Sequence, residues 1–222
     1  MSLVRASLTR GAGGWLWLAP AAVGGALTTL IMLVLPADRT LHGLPDFLLK
    51  VSPLVCAVLT IAFFPNRSGW SLVLPLVGVL VYFGYLDSAF FIQVDRLVDA
   101  AQADAVRAQF SSYYRFSIFV NAFVVLLSIF SFRMGGASTA SVLKLGCAGI
   151  LVLLSGLNDL TMWAMYDWPG GTRPETFDWA SHVSIFLGHD PSLIDMLAFA
   201  SVHLLLAIAV LRLPLKRWIP SR

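Results

Sequence analysis

LGCAGILVLLSGLNDLTMWAMYDWPGG, residues 145–171, is a run of apolar side chains with Asn158 and Asp159 set side by side toward its end. Its apolar part holds about the 20 residues that a helix needs to cross a bilayer. Pro169, Gly170 and Gly171 then close it, as such residues do just beyond a helix terminus. A carboxylate at the centre of a spanning helix costs about 2.5–3.5 kcal/mol if it meets lipid, and less toward the ends. Asp159 is therefore expected to face the interior of a bundle or a wet hollow.

The rest of the chain agrees with a membrane setting. Of its 222 residues 58% are hydrophobic and 12% charged, where average soluble domains carry about 25% charge. Mean hydropathy is +0.81. A chain this apolar would expose large hydrophobic patches in water, so the bilayer is its expected solvent. Cys56 and Cys147 both fall in apolar runs and read as small packing residues rather than a disulfide or a metal pair.

Apolar windows predict an all-α polytopic integral membrane protein, a single transmembrane domain over 1–222 built as a bundle of six helices. The spans fall at roughly 15–35, 46–64, 70–92, 116–132, 145–167 and 193–213. The first is too long for a signal-peptide core of about 7–15 residues and reads as an uncleaved helix. Residues 93–114 lack Gly and Pro and are rich in Ala, which predicts a helical extracytoplasmic extension of the third span, aided by an Asp104–Arg107 pair. Residues 176–189 predict an interfacial amphipathic helix, with Trp179, Ala180, Val183, Phe186 and Leu187 on one arc. Ser192 followed by Asp195 reads as a capping box that opens the sixth span. Ala21 with Gly25, and Gly24 with Thr28, are small-residue pairs suited to close helix contact.

With the N-terminus inside, nine Lys and Arg fall on the cytoplasmic side and six outside, a modest positive-inside bias. None of the twelve acids falls in a cytoplasmic segment. Both termini are thus expected in the cytoplasm, most simply of a bacterial inner membrane.

Two constellations carry the chemistry. In the first, Asp87 and Asp159 lie in the outer halves of the third and fifth spans, each with a Gly three residues before it and an aromatic four after. They are the candidate acids should the protein be an enzyme. Asn121, Asn158, Tyr166 and His203 join them as candidate ligand-binding residues of one outward polar cavity. Clustered carboxylates share protons and attract cations. Simpler readings exist for these: Asp87 and Asp159 suit positions near enough to the surface to be solvated or hydrogen-bonded locally. The Ser117, Asn121, Ser128 stripe suits hydrogen bonding between helices, and His203 suits a hydrogen-bonded packing position. The second constellation is Asp178, His182 and His189, a candidate Zn or Cu site. His189 would lie roughly 10.5 Å from His182 along a straight helix, too far for one ion unless Gly188 breaks it.

No HExxH, GxSxG, P-loop or CxxCH motif is present, and no basic stretch interleaved with aromatics suggests nucleic acid. No cofactor is assigned. The composition fits a small transporter or a membrane subunit of a larger complex, with lipid, other subunits or further copies of the chain as partners. The alternatives are a membrane enzyme using an Asp acid on a lipid or isoprenoid-like substrate, and a periplasm-facing metal protein.

Overall fold

A computed structural model describes residues 15–38, 40–65, 73–86, 89, 92–94, 96–97, 106–166, 168 and 171–215. Every element among them is helical apart from one isolated bridge, Thr176 to Ser192. The order is α1 (Leu18–Thr29), which passes into a π turn at Leu30–Val34, then α2 (Leu44–Phe63) and α3 (Val73–Val81), which passes into a π turn at Tyr82–Leu86. There follow α4 (Val106–Met134), α5 (Thr139–Leu153), α6 (Leu157–Met165), α7 (Ser181–Leu187) and α8 (Leu193–Arg212).

Among the described residues three helices, α2, α4 and α8, are long and apolar enough to cross a membrane, and α5 with α6 make a fourth if that pair, bent by 41°, is one span. Six were expected. The first span appears as a shorter apolar helix, Leu18–Val34, and the third as Val73–Leu86 bordered by residues outside the described set. Side chains such as Ile194 and Met165, both 78% exposed, are the kind that only lipid or a partner would cover. Asp104 lies outside the described residues, and α4 already begins at Val106, before Arg107. That part of the expected extension therefore belongs to the fourth helix rather than prolonging the third.

The chain divides into two compact units, one of residues 1–39, 52–143 and 219–222, the other of 40–51 and 144–218. In the first unit Ile61, Ala62, Ile129 and Val142 form the core. Gly24 meets α2 so closely that a Cβ there would lie 2.8 Å from the Cys56 side chain, whereas Gly25 faces open space. Of the two small-residue pairs, Gly24 with Thr28 is the one at the contact, and Cys56 is its packing partner. Arg115 donates to the carbonyls of Ile31 at 3.0 Å and Leu35 at 2.7 Å, satisfying acceptors that the π turn leaves free. Arg133, only 2% exposed, donates to the carbonyls of Phe64 at 2.8 Å and Ala137 at 2.6 Å. Its charge thereby meets the negative ends of α2 and α4.

In the second unit Phe177, Ala180, Val183 and Met196 are fully buried together. The backbone N–H of Phe177 donates to the Pro191 carbonyl at 2.9 Å, which closes the loop that carries α7. From residues 40–51, Leu41 donates its N–H to the Ser181 hydroxyl at 3.2 Å and Phe47 packs edge-on to Phe186 with centroids 5.3 Å apart. The expected amphipathic helix over 176–189 is thus only seven residues long. Its first part is an extended and turn segment whose apolar side chains enter the protein core rather than a headgroup layer.

Candidate functional site

The apolar run that contains Asp159 is two helices. Gly156 stands between them in the left-handed region, φ +73°, and caps the start of α6. The Ser155 hydroxyl donates to the Val152 carbonyl at 2.7 Å and accepts from the Leu157 N–H at 3.3 Å, so it serves backbone groups that the break sets free. A Cβ on Gly156 would lie 2.8 Å from the Met196 Cε, and its φ disfavours any other residue. The break puts Asp159 in the first turn of a new helix, where the partial positive charge of unpaired N–H groups favours an anion. This is how the apolar run accommodates its carboxylate.

Asp159 is 9% exposed, and its Oδ2 lies 3.8 Å from the His182 Nε2 on α7. The separation is too long for a hydrogen bond. Near them is the indole of Trp179, whose N–H approaches the carboxylate without closing a bond in good geometry. Asp159 Oδ2, His182 Nε2 and Trp179 Nε1 are all buried and all without a hydrogen-bond partner. Three such atoms together are unusual, since the large majority of buried polar atoms are paired.

Aromatic rings roof this cluster. Trp179 stacks on Trp168 with centroids 5.4 Å apart and tilts on Phe177 at 5.2 Å, and Trp163 stacks on Phe177 at 5.9 Å. The other two indoles of the roof are satisfied, Trp163 by the Pro174 carbonyl and Trp168 by the Trp163 carbonyl, each at 3.0 Å. Arg173 lies over the Trp163 ring at 4.9 Å and donates to the Ala164 carbonyl at 2.9 Å, near the end of α6. On the other side Phe199 stands between two histidines, 6.4 Å from the His182 ring and 4.2 Å from the His203 ring. Burial, and secondarily the nearby His203, push the His182 imidazole down from 6.5 to about 4. His182 is therefore neutral at ordinary pH and able to accept a hydrogen bond.

The candidate residues separate on this structure. His203 reaches the cluster through Phe199, and its Nδ1 sits 3.0 Å from the Phe199 carbonyl, in keeping with a hydrogen-bonded packing role. Asn158 is exposed on the far face of α6, in an open groove of about 600 Å³ lined by Val152, Leu153, Leu157, Thr161, Met162 and Met165. Tyr166 is exposed and packs edge-on to Trp168 at 4.9 Å. Asn121, also exposed, donates to Ser117 at 3.5 Å in the other unit. Asp87 lies outside the described residues. Asp195 caps α8 in a full box with Ser192, as its spacing suggests.

The proposed metal set does not assemble. α7 begins at Ser181 and ends at Gly188, φ +79°, so no continuous helix aligns Asp178, His182 and His189. Asp178 and His189 are exposed, while His182 turns inward to Asp159. Among the described residues no group of three His, Cys, Asp or Glu side chains is placed to hold a metal ion.

Trp179 is the site residue that sequence reasoning missed as a polar group, having assigned it to an apolar face. The spacing Ser155-Gly156-x-x-Asp159 was the available signal for the break, since a Gly followed three residues later by an acid suits a helix start. No known protein family model matches the chain, and no curated protein or solved structure is significantly similar to it.

Proposed function

We propose that the chain is a six-span integral membrane protein, with both termini cytoplasmic in a bacterial inner membrane, that acts as a small transporter with an extracytoplasmic polar site centred on Asp159. The observation that carries this reading is the trio of unpartnered buried atoms at a break in an apolar span. Discontinuous helices whose inner ends meet ligands are a recurring way to build a transport site near the middle of a membrane. Ionisable groups retained there are costly and mark function. The first apolar helix, Leu18–Val34, and the helical stretch Val73–Leu86 supply the two further spans, and the distribution of acids supports the orientation.

Uptake into proteoliposomes tests the reading, using the purified chain and labelled pools of amines, amino acids and sugars. A flux carried by the native chain and lost in Asp159→Asn supports it. Absence of flux with every pool, together with a native-gel mobility far above a 24.2 kDa chain in gently solubilised membranes, would replace the transporter with a subunit of a larger complex.

A further inference from the structure

The same three atoms carry information about which ion the site takes. This inference rests on the reading of Asp159 as a functional polar site. A metal cation requires several electron-pair donors arranged around it. Here one carboxylate oxygen and one imidazole nitrogen are available, and the third member, Trp179, presents the positive end of an N–H. Close by, the Ser155 hydroxyl is bonded to the Val152 carbonyl and the His203 Nδ1 sits 3.0 Å from the Phe199 carbonyl.

We propose that Asp159 and His182 hold one exchangeable proton between them, with a single water or ligand hydroxyl joining the pair to the Trp179 N–H, so that the coupling ion is the proton.

Three features support this. First, a gap of 3.8 Å closes to a charge-assisted hydrogen bond by a shift of about 1 Å. It also lies within the span that one bridging water covers. Second, water has two hydrogens to give and two lone pairs. It can donate to the carboxylate and the imidazole while accepting from the indole, which satisfies every orphan atom. Third, a carboxylate beside a neutral imidazole leaves a net negative charge in a dry place, and one proton cancels it. The low affinity of His182 for a proton of its own makes it an acceptor in this arrangement.

Uptake is a simple transfer. A hydronium ion gives its proton to a lone pair of the carboxylate or imidazole and leaves as water, and no bond between heavy atoms changes. Among the described residues, His203 on α8 is a further titratable group near the pair. Residues 40–51, which pack on α7, bring His42, Asp46 and Lys50, of which Lys50 and Asp46 are paired at 3.0 Å.

Tryptophan fluorescence of the full chain in lipid nanodiscs, titrated over roughly pH 4 to 8, tests the proposal. Trp179→Phe identifies the component reported by the indole beside the pair. That component is expected to fall several-fold in Asp159→Asn and in His182→Gln, and to keep its midpoint when excess Na⁺, Mg²⁺ or Zn²⁺ is added. Thermal melts at neutral pH establish that each variant is folded. A pH-difference infrared spectrum of the native chain, which needs no variant, is expected to show a titrating carboxylic-acid band. A component that persists in Asp159→Asn, a midpoint moved by any of the three cations, or an infrared spectrum without the band overturns the proposal. If the component behaves as expected but Asp159→Asn leaves every solute flux unchanged, the proton site stands and the transporter reading fails.

Discussion

Arg133 and Asp159 are both buried charges in apolar surroundings, and the molecule treats them oppositely. Arg133 sits where α2 and α4 end and gives hydrogen bonds to carbonyls at both places. Asp159 sits where α6 begins, again at the favourable end of a helix dipole, but its Oδ2 makes no hydrogen bond. A buried charge with its hydrogen bonds completed holds a structure together. A buried charge with an unsatisfied atom beside two unsatisfied neighbours has hydrogen-bonding capacity that the fold leaves unused. Placement at a helix end is common to both, so hydrogen-bond completion, rather than burial, is what distinguishes them.

The comparison predicts unequal costs on mutation. Arg133→Met strips charged donors from two carbonyls and should cost about 4 kcal/mol. A thermal melt in detergent reads this as a large drop, with Arg133→Lys recovering only part because an ammonium lacks the guanidinium fork. An unchanged melting temperature in Arg133→Met would dissolve the contrast.

The next effect is pH dependence. His182 stays neutral in the fold down to about 4, whereas in the unfolded chain it takes a proton near 6.5. At His182 the unfolded state therefore binds more protons between these values, so its own contribution to stability is full above pH 6.5 and declines by up to about 3 kcal/mol as pH falls toward 4. The proton that the pair takes up in the folded state opposes this decline. A pH–stability curve that His182→Gln leaves unchanged would show that His182 is not a contributing group.

Gly156→Ala follows, at about 2 kcal/mol, from the left-handed backbone and from the approach to Met196. Pairing it with Met196→Ala should recover some of the loss, since the clash is with the far end of a flexible side chain. The smallest effect belongs to Asp159→Asn, which removes a buried charge and should leave stability within about 1 kcal/mol of the native chain. Its uptake activity should nevertheless be lost. A melt that falls as far as that of Arg133→Met would instead make Asp159 a structural residue.

Several local features were legible because they depend on neighbours in sequence. Ser192 and Asp195 close a capping box within one turn, and Gly24 with Thr28 marks a close helix contact. Other features were not legible because they depend on what arrives from elsewhere. The helical wheel grouped Asp178, His182 and His189 on the assumption of one continuous helix, and Phe177, Ala180 and Val183 instead enter a core completed by Met196. Trp179 counted as apolar because its ring is; its N–H matters only where a carboxylate faces it.

From its residues alone the chain is helical and apolar, with a carboxylate near the end of the apolar run that begins at Leu145. The period and length of apolar runs report how each helix presents its surface to hydrocarbon. Tertiary structure decided that this run breaks at Gly156, that His182 is a neighbour of Asp159, and that an aromatic roof covers them. The physical reason is that a lone pair or an N–H becomes a site only when the chain brings its counterpart within a few ångströms and keeps water out. That meeting depends on the packing of α6, α7 and α8, which no single segment encodes.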